Sequence, residues 1–251
     1  AAMFFKRSKT AYTSQFEPQS QLMCPRTQDG IFKCPEFPAV HAWIIEGDNE
    51  YCEGDAEEWR WFVPHDVTGL IDLYPSPAVY AAALDKFFEK TLITNETLLP
   101  NPFYWAGNEP GIFEPFQFNA AGRADLTQKH SRQVMNNAYS IKPDGMPGND
   151  DFGALSSWYV WAALGLYPQP GKTSYVLGSP VFPSATVRIG DIDSGPVLHI
   201  IAHDASPNNI YVSRGTVNGK AIDVANNAFI EHDDIANGGT IELWMVHAAP
   251  S

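Results

Sequence analysis

The chain changes character near residue 170, and this change limits the folds that it can adopt. Up to about residue 165, helix-forming segments alternate with long loops, and the clearest segment is SPAVYAAALDKFFEKTL, with Pro77 near its start. After Pro168, short runs of β-branched and aromatic residues are separated by Gly, Asn, Asp and Pro, which is typical of an antiparallel sheet or sandwich. The sequence therefore predicts an α+β protein, with a helical segment over residues 1–169 and a β-strand region over residues 170–251.

Four more helices are predicted in the first segment. Their sequences are AAMFFKRSKTAYTSQF, PHDVTGLIDLY with Pro64 at its start, TQKHSRQVMNNAYS with Thr127 as the N-cap, and a very apolar helix from Phe152 to Leu166. In the β-strand region, VNGK predicts a hairpin because Asn-Gly suits a type I′ turn. The loop over residues 96–122 is long, and its aromatic content favours a functional role over disorder.

Composition excludes several classes of partner. The formal charge of -13 argues against nucleic acid and against anionic membranes. The sequence contains no transmembrane run and no signal peptide, and with 44% hydrophobic residues it can bury a substantial core. Because AAMFFKRSK reads as the middle of a helix, we expect the chain to be part of a longer polypeptide.

The three cysteines leave two possibilities open. Cys24 and Cys34 flank PRTQDGIFK, which can fold back as a hairpin and allow a disulfide, but Cys52 makes the number of cysteines odd. Their spacing does not suggest zinc. The sequence NET at Asn95 is a glycosylation sequon, which has meaning only in a secreted protein.

A first group of acids lies in YCEGDAEEWRWFVPHD. A carboxyl group packed against the aromatic rings here would lose solvation, which raises its pKa and suits a general acid. Glu53 is the candidate, although it can equally be a solvated loop acid beside core tryptophans. Glu57 and Glu58 are close by, so the local sequence alone does not single out Glu53.

Two further motifs carry oxygen-bearing side chains. In GNEP, Asn108 and Glu109 place an amide beside a carboxylate, a combination that suits Ca²⁺. In MPGNDDFGALSSWYVWAALGLYP, Asp150 and Asp151 stand at the mouth of the most apolar helix. One of these two acids can cap the helix while the other points into a cleft. Ser156 lies in no nucleophile elbow, so a serine hydrolase is disfavoured.

Tryptophan next to acidic residues often forms a platform for sugars, and more often it is simply core. If Trp59 and Trp105 form such a platform, they bind the substrate, and we assign Asn149 to substrate binding with them.

The motifs are far more specific together than singly. EGDAEEWRWFVPHDV, GNEP, NAAG, PDGMPGNDDFGALSSWYVWAALGLYP and YVLGSPVF occur in this order. The combination resembles glycoside hydrolase family 92, the calcium-dependent, exo-acting α-mannosidases, over nearly the whole chain. The resemblance implies an N-terminal β-sandwich followed by an (α/α) six-hairpin barrel, with the active site between them. The chain matches the later half of the barrel and the terminal β region, so we expect an upstream segment or another chain to carry the N-terminal domain.

The resemblance also implies a reaction and its residues. Terminal α-linked mannose is hydrolysed with inversion, which needs an acid and a base separated by about 6.5–9.5 Å. The acid corresponds to Glu53, the base to Asp151, and Asp150 helps to orient the water. Ca²⁺ corresponds to Asn108 and Glu109. The substrate is a mannose-containing glycan, and the expected location is extracellular.

The sequence departs from the family pattern at several positions. Asp55 stands where Asn is usual, Ile112 and Phe113 stand in place of two histidines, and Ala106 and Gly107 replace a His-Glu pair of α-1,2-specific members. The linkage preference is therefore left open. The alternative function is a non-catalytic glycan-binding or structural fragment of the same fold. The intact acids favour the enzyme.

Overall fold

The computed structural model of the chain describes residues 7–34, 51–52, 54–91 and 103–250. Two predicted features, the acid Glu53 and the sequon at Asn95, lie outside the described residues. The chain forms two compact units, of which unit 1 comprises Ala1–Glu114 and Asn137–Asn149, and unit 2 comprises Pro115–Asn136 and Asp150–Ser251. Each unit is built from two stretches of chain. The boundaries of these compact units differ from those of the predicted segments 1–169 and 170–251, which stay a prediction.

The described part of unit 1 contains helical residues at 7–9, three further short or medium helices and a small hairpin. Its elements are α1 (Ala56–Trp59), α2 (Val67–Ile71), α3 (Pro77–Glu89), 3₁₀ helices at Ala11–Ser14 and Glu109–Gly111, and the antiparallel strands β1 (Phe16–Glu17) and β2 (Leu22–Met23). Helix α3 begins as predicted, because the Ser76 hydroxyl accepts the N–H of Val79 at 3.2 Å and Pro77 takes the first helical position.

An aromatic core fills unit 1. Trp61 is fully buried, and the rings of Tyr74, Tyr80 and Phe87 lie 6.1, 5.4 and 5.8 Å from it. Aromatic pairs at such separations stabilise the core beyond simple area burial. Cys24 and Cys34 form a disulfide, whereas Cys52 is free and exposed, which settles the question that the sequence left open.

Unit 2 contains the remaining helices and strands. They are a 3₁₀ helix that begins in unit 1 (Glu114–Ala121), α4 (Ala124–Ala138), α5 (Ala154–Leu164), α6 (His232–Ile235), and strands β3 (Leu166–Pro168), β4 (Ser174–Leu177), β5 (Ser184–Arg188), β6 (Val197–His203), β7 (Tyr211–Val217), β8 (Lys220–Ile222), β9 (Phe229–Glu231) and β10 (Gly239–Val246). The last residues of α4 belong to unit 1. No described helix is both long enough and apolar enough to cross a membrane.

The predicted N-cap of α4 is wrong. Thr127 lies inside this helix and is fully buried, because the helix already begins at Ala124. Gly122 has a φ of 71°, a left-handed value that breaks the preceding 3₁₀ helix. The guanidinium of Arg123 then donates two hydrogen bonds of 2.8 Å to the Asp125 carboxylate in the first turn.

The strands form two sheets in unit 2. One has five strands in the order β5-β6-β10-β7-β8, and the other is antiparallel in the order β3-β4-β9. The prediction of a purely antiparallel sheet is wrong at one pair, because β10 runs parallel to β6 and antiparallel to β7. The chain between β8 and β10 returns β10 to the centre of the sheet. The hairpin prediction is confirmed, since Asn218 and Gly219 both have positive φ values, 50° and 78°.

Candidate active site

The two adjacent acids form a strained turn at the start of α5. Asp151, Phe152 and Gly153 have φ values of 47°, 57° and 93°. A left-handed conformation at a non-glycine residue costs on the order of 1–3 kcal/mol. The Oδ1 atom of Asp150 accepts the N–H of Ser156 at 2.9 Å, and its backbone carbonyl accepts the N–H of Leu155 at 3.2 Å. Asp150 therefore supplies the predicted cap and stabilises the turn.

The same contacts give the two acids different environments. The hydrogen bond from the Ser156 backbone holds the pKa of Asp150 below its ordinary value. Asp151 is exposed, and its carboxylate makes no hydrogen bond or ion pair with the residues that the structure describes. Asn149, assigned to substrate binding, is exposed as well. Only Asp151 thus presents an uncommitted carboxylate to solvent on this turn.

Unit 1 contains a buried group of three carboxyls, and the first of them caps α1. Asp55 accepts the N–H groups of Glu57 and Glu58 at 2.8 and 3.1 Å. Burial raises the pKa of Asp55 to about 7, against the opposing effect of these two hydrogen bonds. Asn would cap equally well. The Asp that replaces the usual Asn therefore adds a second buried acid beside Glu58.

Glu58 and Glu114 complete this group. Burial, followed by the charge of Asp55, raises the pKa of Glu58 to about 9, while a hydrogen bond from Asn108 works in the opposite direction. Glu114 is fully buried, and neither of its carboxyl oxygens has a hydrogen-bond partner among the described residues. Burial, together with the charges of Glu58 and Asp55, raises its pKa well above the ordinary value. Burial therefore favours the protonated form of both Glu58 and Glu114.

Sequence reasoning missed Glu114. The signal that could have found it is its position in IFEPF, between Phe113 and Pro115, where an acid has apolar neighbours on both sides. Glu57, by contrast, forms a buried ion pair. Its Oε2 atom accepts a hydrogen bond of 3.0 Å from Nη1 of Arg60. Of the two acids that competed with Glu53, only Glu58 is therefore left as an alternative general acid.

The two residues assigned to calcium lie on neighbouring backbone positions. Asn108 is buried and precedes the 3₁₀ helix Glu109–Gly111, on which Glu109 is half-buried. Helix α1, which carries Glu58, packs against this 3₁₀ helix. The loop is tightly held, since a Cβ atom on Gly107 would lie 2.4 Å from the carbonyl oxygen of Pro147. Glycine is therefore required at position 107, where the GNEP motif contacts the backbone of Pro147.

The donor chemistry at this loop fits a hard cation. Among the described residues, no group of three or more His, Cys, Asp or Glu side chains could hold a metal ion. The side chains of Asn108, Glu109 and Glu58 carry oxygen atoms at this loop, and the buried Oε1 of Glu58 has no hydrogen-bond partner among the described residues. Ca²⁺ accepts amide and carboxylate oxygens and completes its shell with water or other oxygen ligands. These oxygen donors are of the type that Ca²⁺ accepts, and calcium binding at this loop stays a prediction.

The two assigned tryptophans are both half-buried. The indole N–H of Trp59 donates to the carbonyl of Cys52 at 2.8 Å, and its ring meets that of Phe62 edge-on at 5.0 Å. Trp105 packs beneath Gly107, because a Cβ atom there would lie 3.0 Å from the Trp105 ring. Binding of a sugar by either ring stays a prediction.

Buried carboxyls with raised pKa values, such as those of unit 1, are typical of enzymes that use acid–base catalysis. Comparison with known families makes the class specific. The model of the glycosyl hydrolase family 92 catalytic domain matches residues 1–247, and the chain belongs to this family.

Individual relatives agree with this assignment. An uncharacterized secreted glycosidase from Arthroderma benhamiae is 29% identical over 242 residues, which cover 96% of this chain and 29% of that protein. A family 92 α-mannosidase from Bacteroides thetaiotaomicron, solved with mannoimidazole, matches with a TM-score of 0.82 at 28% identity, over 96% of this chain and 32% of its own. An inverting family 92 mannosidase from the same organism matches with a TM-score of 0.75 at 25% identity, over 95% of this chain and 33% of its own. The chain thus spans about a third of the length of these relatives.

Proposed function

We propose that this chain carries the catalytic residues of an exo-acting α-mannosidase, which hydrolyses terminal α-linked mannose with inversion and depends on calcium. The observation that carries the proposal is the difference between Asp150 and Asp151. One carboxylate is bound by the helix amides, and its neighbour is exposed and uncommitted. Membership of family 92 and the mannosidases among the similar structures support mannose as the sugar.

In the proposed reaction, Asp151 removes a proton from a water molecule, which then attacks the anomeric carbon. The bond between that carbon and the leaving oxygen breaks, and Glu53 donates a proton to this oxygen. Asp150 acts as a positioning residue, because its hydrogen bond to the Ser156 amide fixes the turn that carries Asp151. One water adds and one alcohol leaves, so atoms and charges balance.

Calcium would be held by Asn108 and Glu109. When bound, it would supply a Lewis-acid and template function towards vicinal sugar hydroxyls. The role of the chain itself is to orient these ligands. The contact between Asn108 and Glu58 fixes the amide, and the close approach of Gly107 to Pro147 fixes the backbone.

The architecture of the whole protein is part of the same proposal. We assign the described helices to the later half of an (α/α) six-hairpin barrel and the strands to its terminal β region. An upstream segment or a separate chain would supply an N-terminal β-sandwich. An extracellular location is supported by the relative that is named a secreted glycosidase.

Product stereochemistry tests the proposal. An aryl α-mannoside is incubated with the protein in calcium, and the anomeric proton of the released mannose is followed by NMR from the first minutes. We expect β-mannose to appear first and to mutarotate later. Release of α-mannose first would exclude the water-between-carboxylates mechanism. Binding of the mannoside with no hydrolysis would instead favour the non-catalytic glycan-binding alternative.

A further inference from the structure

A cavity of about 420 Å³ in unit 2 has no part in the proposed reaction. Strand β8, at the edge of the five-stranded sheet, and strand β9, at the edge of the three-stranded sheet, both line it. We call it the sheet-edge cavity. Its polar and aromatic lining residues are Asn218, Lys220, Asp223, Asn227, Phe229 and Asp234. Its size falls in the range of roughly 300–1,000 Å³ that is usual for small-molecule sites.

Two of these side chains hold the rim of the sheet-edge cavity in place. The Asn218 amide donates to the backbone carbonyl of Asp234 at 2.7 Å, and its Oδ1 atom accepts the N–H of Thr240 at 2.9 Å. The turn of the hairpin is thereby tied to α6 and to β10. Asp223 accepts two backbone N–H groups of the loop that follows it, at 3.1 and 2.9 Å. A cavity with a fixed rim loses little entropy when a ligand binds.

Three other polar side chains of the cavity are uncommitted. Lys220, Asn227 and Asp234 are exposed, and their side chains make no hydrogen bond or ion pair with the residues that the structure describes. They offer an ammonium donor, an amide that both donates and accepts, and a carboxylate acceptor. A hydroxyl group also donates and accepts, so this mixture suits a ligand that carries several hydroxyls.

The ring of Phe229 supplies the apolar part of the wall. Phe229 is half-buried, lies outside the hydrophobic core of unit 2, and makes no ring contact with another described residue. Its ring surface is therefore free to pack on a ligand. Apolar surface beside a few convergent polar groups is the usual composition of a binding site for a small molecule.

The charges of the cavity narrow the class of ligand. Among the described lining residues, the carboxylates of Asp223 and Asp234 outnumber the single ammonium of Lys220. A phosphate or another anion would be repelled by this excess of negative charge. A wholly apolar ligand would remove the uncommitted charged groups from water without giving them partners. A neutral ring with several hydroxyls and an apolar face satisfies both conditions, and this is the chemistry of a sugar.

We propose that the sheet-edge cavity is a non-catalytic binding site for one neutral sugar residue of a glycan. A glycan held there would stay at a high effective concentration while the catalytic residues act on its ends. None of the assigned acids or calcium ligands is among the described residues that line the cavity. The choice of mannose as the sugar rests on the proposed function, whereas the site itself does not.

Native gel electrophoresis with and without unphosphorylated α-mannan tests the proposal. A neutral polymer slows the protein only if the protein binds it, and we expect the wild type to be slowed. Asp234→Ala should weaken the binding about tenfold. The contact with Asn218 uses the backbone of Asp234, so this substitution leaves the contact in place. Asp233→Ala is the matched control, because Asp233 is also exposed on α6 and does not line the cavity, and it should bind like the wild type.

Two further measurements separate binding from stability and from catalysis. Phe229→Leu keeps an apolar side chain without the flat ring, and it should also weaken mannan binding at an unchanged melting temperature. In Asp234→Ala, kcat/KM on α-mannan should fall several-fold through KM. The value for phenyl α-mannoside should not change, because this small substrate has no second sugar that could occupy the cavity.

Equal slowing of the wild type and Asp234→Ala by α-mannan would overturn the proposal, and so would an equal loss of kcat/KM on both substrates. Stronger slowing by the anionic polymer polygalacturonate than by any neutral one would overturn the preference for neutral sugars. If the wild type hydrolyses neither substrate, the proposed function fails, and the gel assay is repeated with neutral glucan and galactan. The cavity is then a sugar site only if one neutral polymer slows the wild type and Asp233→Ala more than Asp234→Ala.

Discussion

The carboxylate of Asp150 and the backbone N–H of Ser156 are joined by a hydrogen bond of 2.9 Å that spans the strained turn before α5. The bond explains why the sequence places two acids side by side at the start of an apolar helix. The free amides of a helix N-terminus attract a carboxylate, and one acid is consumed in satisfying them. The left-handed turn then presents its neighbour, Asp151, to solvent. The two adjacent acids thus lie in different environments, because Asp150 is bound by the Ser156 amide and Asp151 adopts a left-handed backbone conformation.

The first prediction separates these tasks. Asp151→Asn should lower kcat by about 10²–10⁴-fold on every substrate, because water activation is needed whatever the leaving group. Asp150→Asn should cost far less, since an amide oxygen can still accept the Ser156 N–H. The two kcat values and circular dichroism of both variants decide the matter. An Asp150→Asn loss as large as that of Asp151→Asn would reverse the proposed roles.

The second prediction concerns the acid. Glu53→Gln should hydrolyse dinitrophenyl α-mannoside nearly as fast as the wild type, because that leaving group departs without a proton. Mannosyl-mannose should slow by about 10²-fold or more. Steady-state rates on the two substrates test this contrast. If both slow equally, Glu53 is not the acid, and Glu58 is the next candidate because Glu57 is paired with Arg60.

The third prediction concerns calcium. EGTA should abolish activity, added calcium should restore it, and magnesium should substitute poorly because it demands a more regular oxygen shell. Calcium should also raise the melting temperature of the wild type, and this shift should disappear in Asn108→Ala and Glu109→Ala. Calorimetric titration with calcium gives a readout independent of catalysis. Full activity in chelator, or unchanged calcium binding in both variants, would contradict the assignment.

The fourth prediction concerns pH and the buried carboxyls. Folding raises the pKa of Asp55 to about 7 and that of Glu58 to about 9, so the folded state binds protons more tightly than the unfolded state. Their contribution to stability is therefore complete below the unfolded values near 4 and is lost as the pH rises through 7 and then 9. We expect the free energy of unfolding in EGTA to fall between pH 5 and pH 9 by on the order of a few kcal/mol.

Two variants and a control make this pH prediction specific. Asp55→Asn keeps the cap and should reduce the fall that occurs below about pH 7, and Glu114→Gln should also reduce the fall, because burial raises the pKa of Glu114 well above its ordinary value. Asp191→Asn is the matched control, because Asp191 also accepts two backbone N–H groups but is exposed, with a pKa held below its ordinary value. Urea unfolding at several pH values measures all four proteins. A wild type that is more stable at pH 9 than at pH 5 would refute the prediction.

Local elements could be predicted because their causes are local. Ser76 and Pro77 start α3, and Asn218 with Gly219 closes the hairpin, through interactions that span only a few residues. The start of α4 could not be predicted from Thr127, because the left-handed Gly122 and the ion pair of Arg123 with Asp125 determine it. The parallel pairing of β10 with β6 was also missed, since it depends on the chain returning to the middle of a sheet.

The candidate site also has features that the local sequence determines and features that depend on the tertiary structure. The sequence by itself determined which chemical groups are present and in what order: the acids around Glu53, the amide and carboxylate of GNEP, and the two acids before α5. Only the tertiary structure decided which of these groups are buried. It buries Glu58 beside Asn108, 50 positions away, and it places Glu114 where both carboxyl oxygens lack a described partner. The reason is that loss of solvation depends on every element packed around a carboxyl, and those elements come from distant parts of the chain.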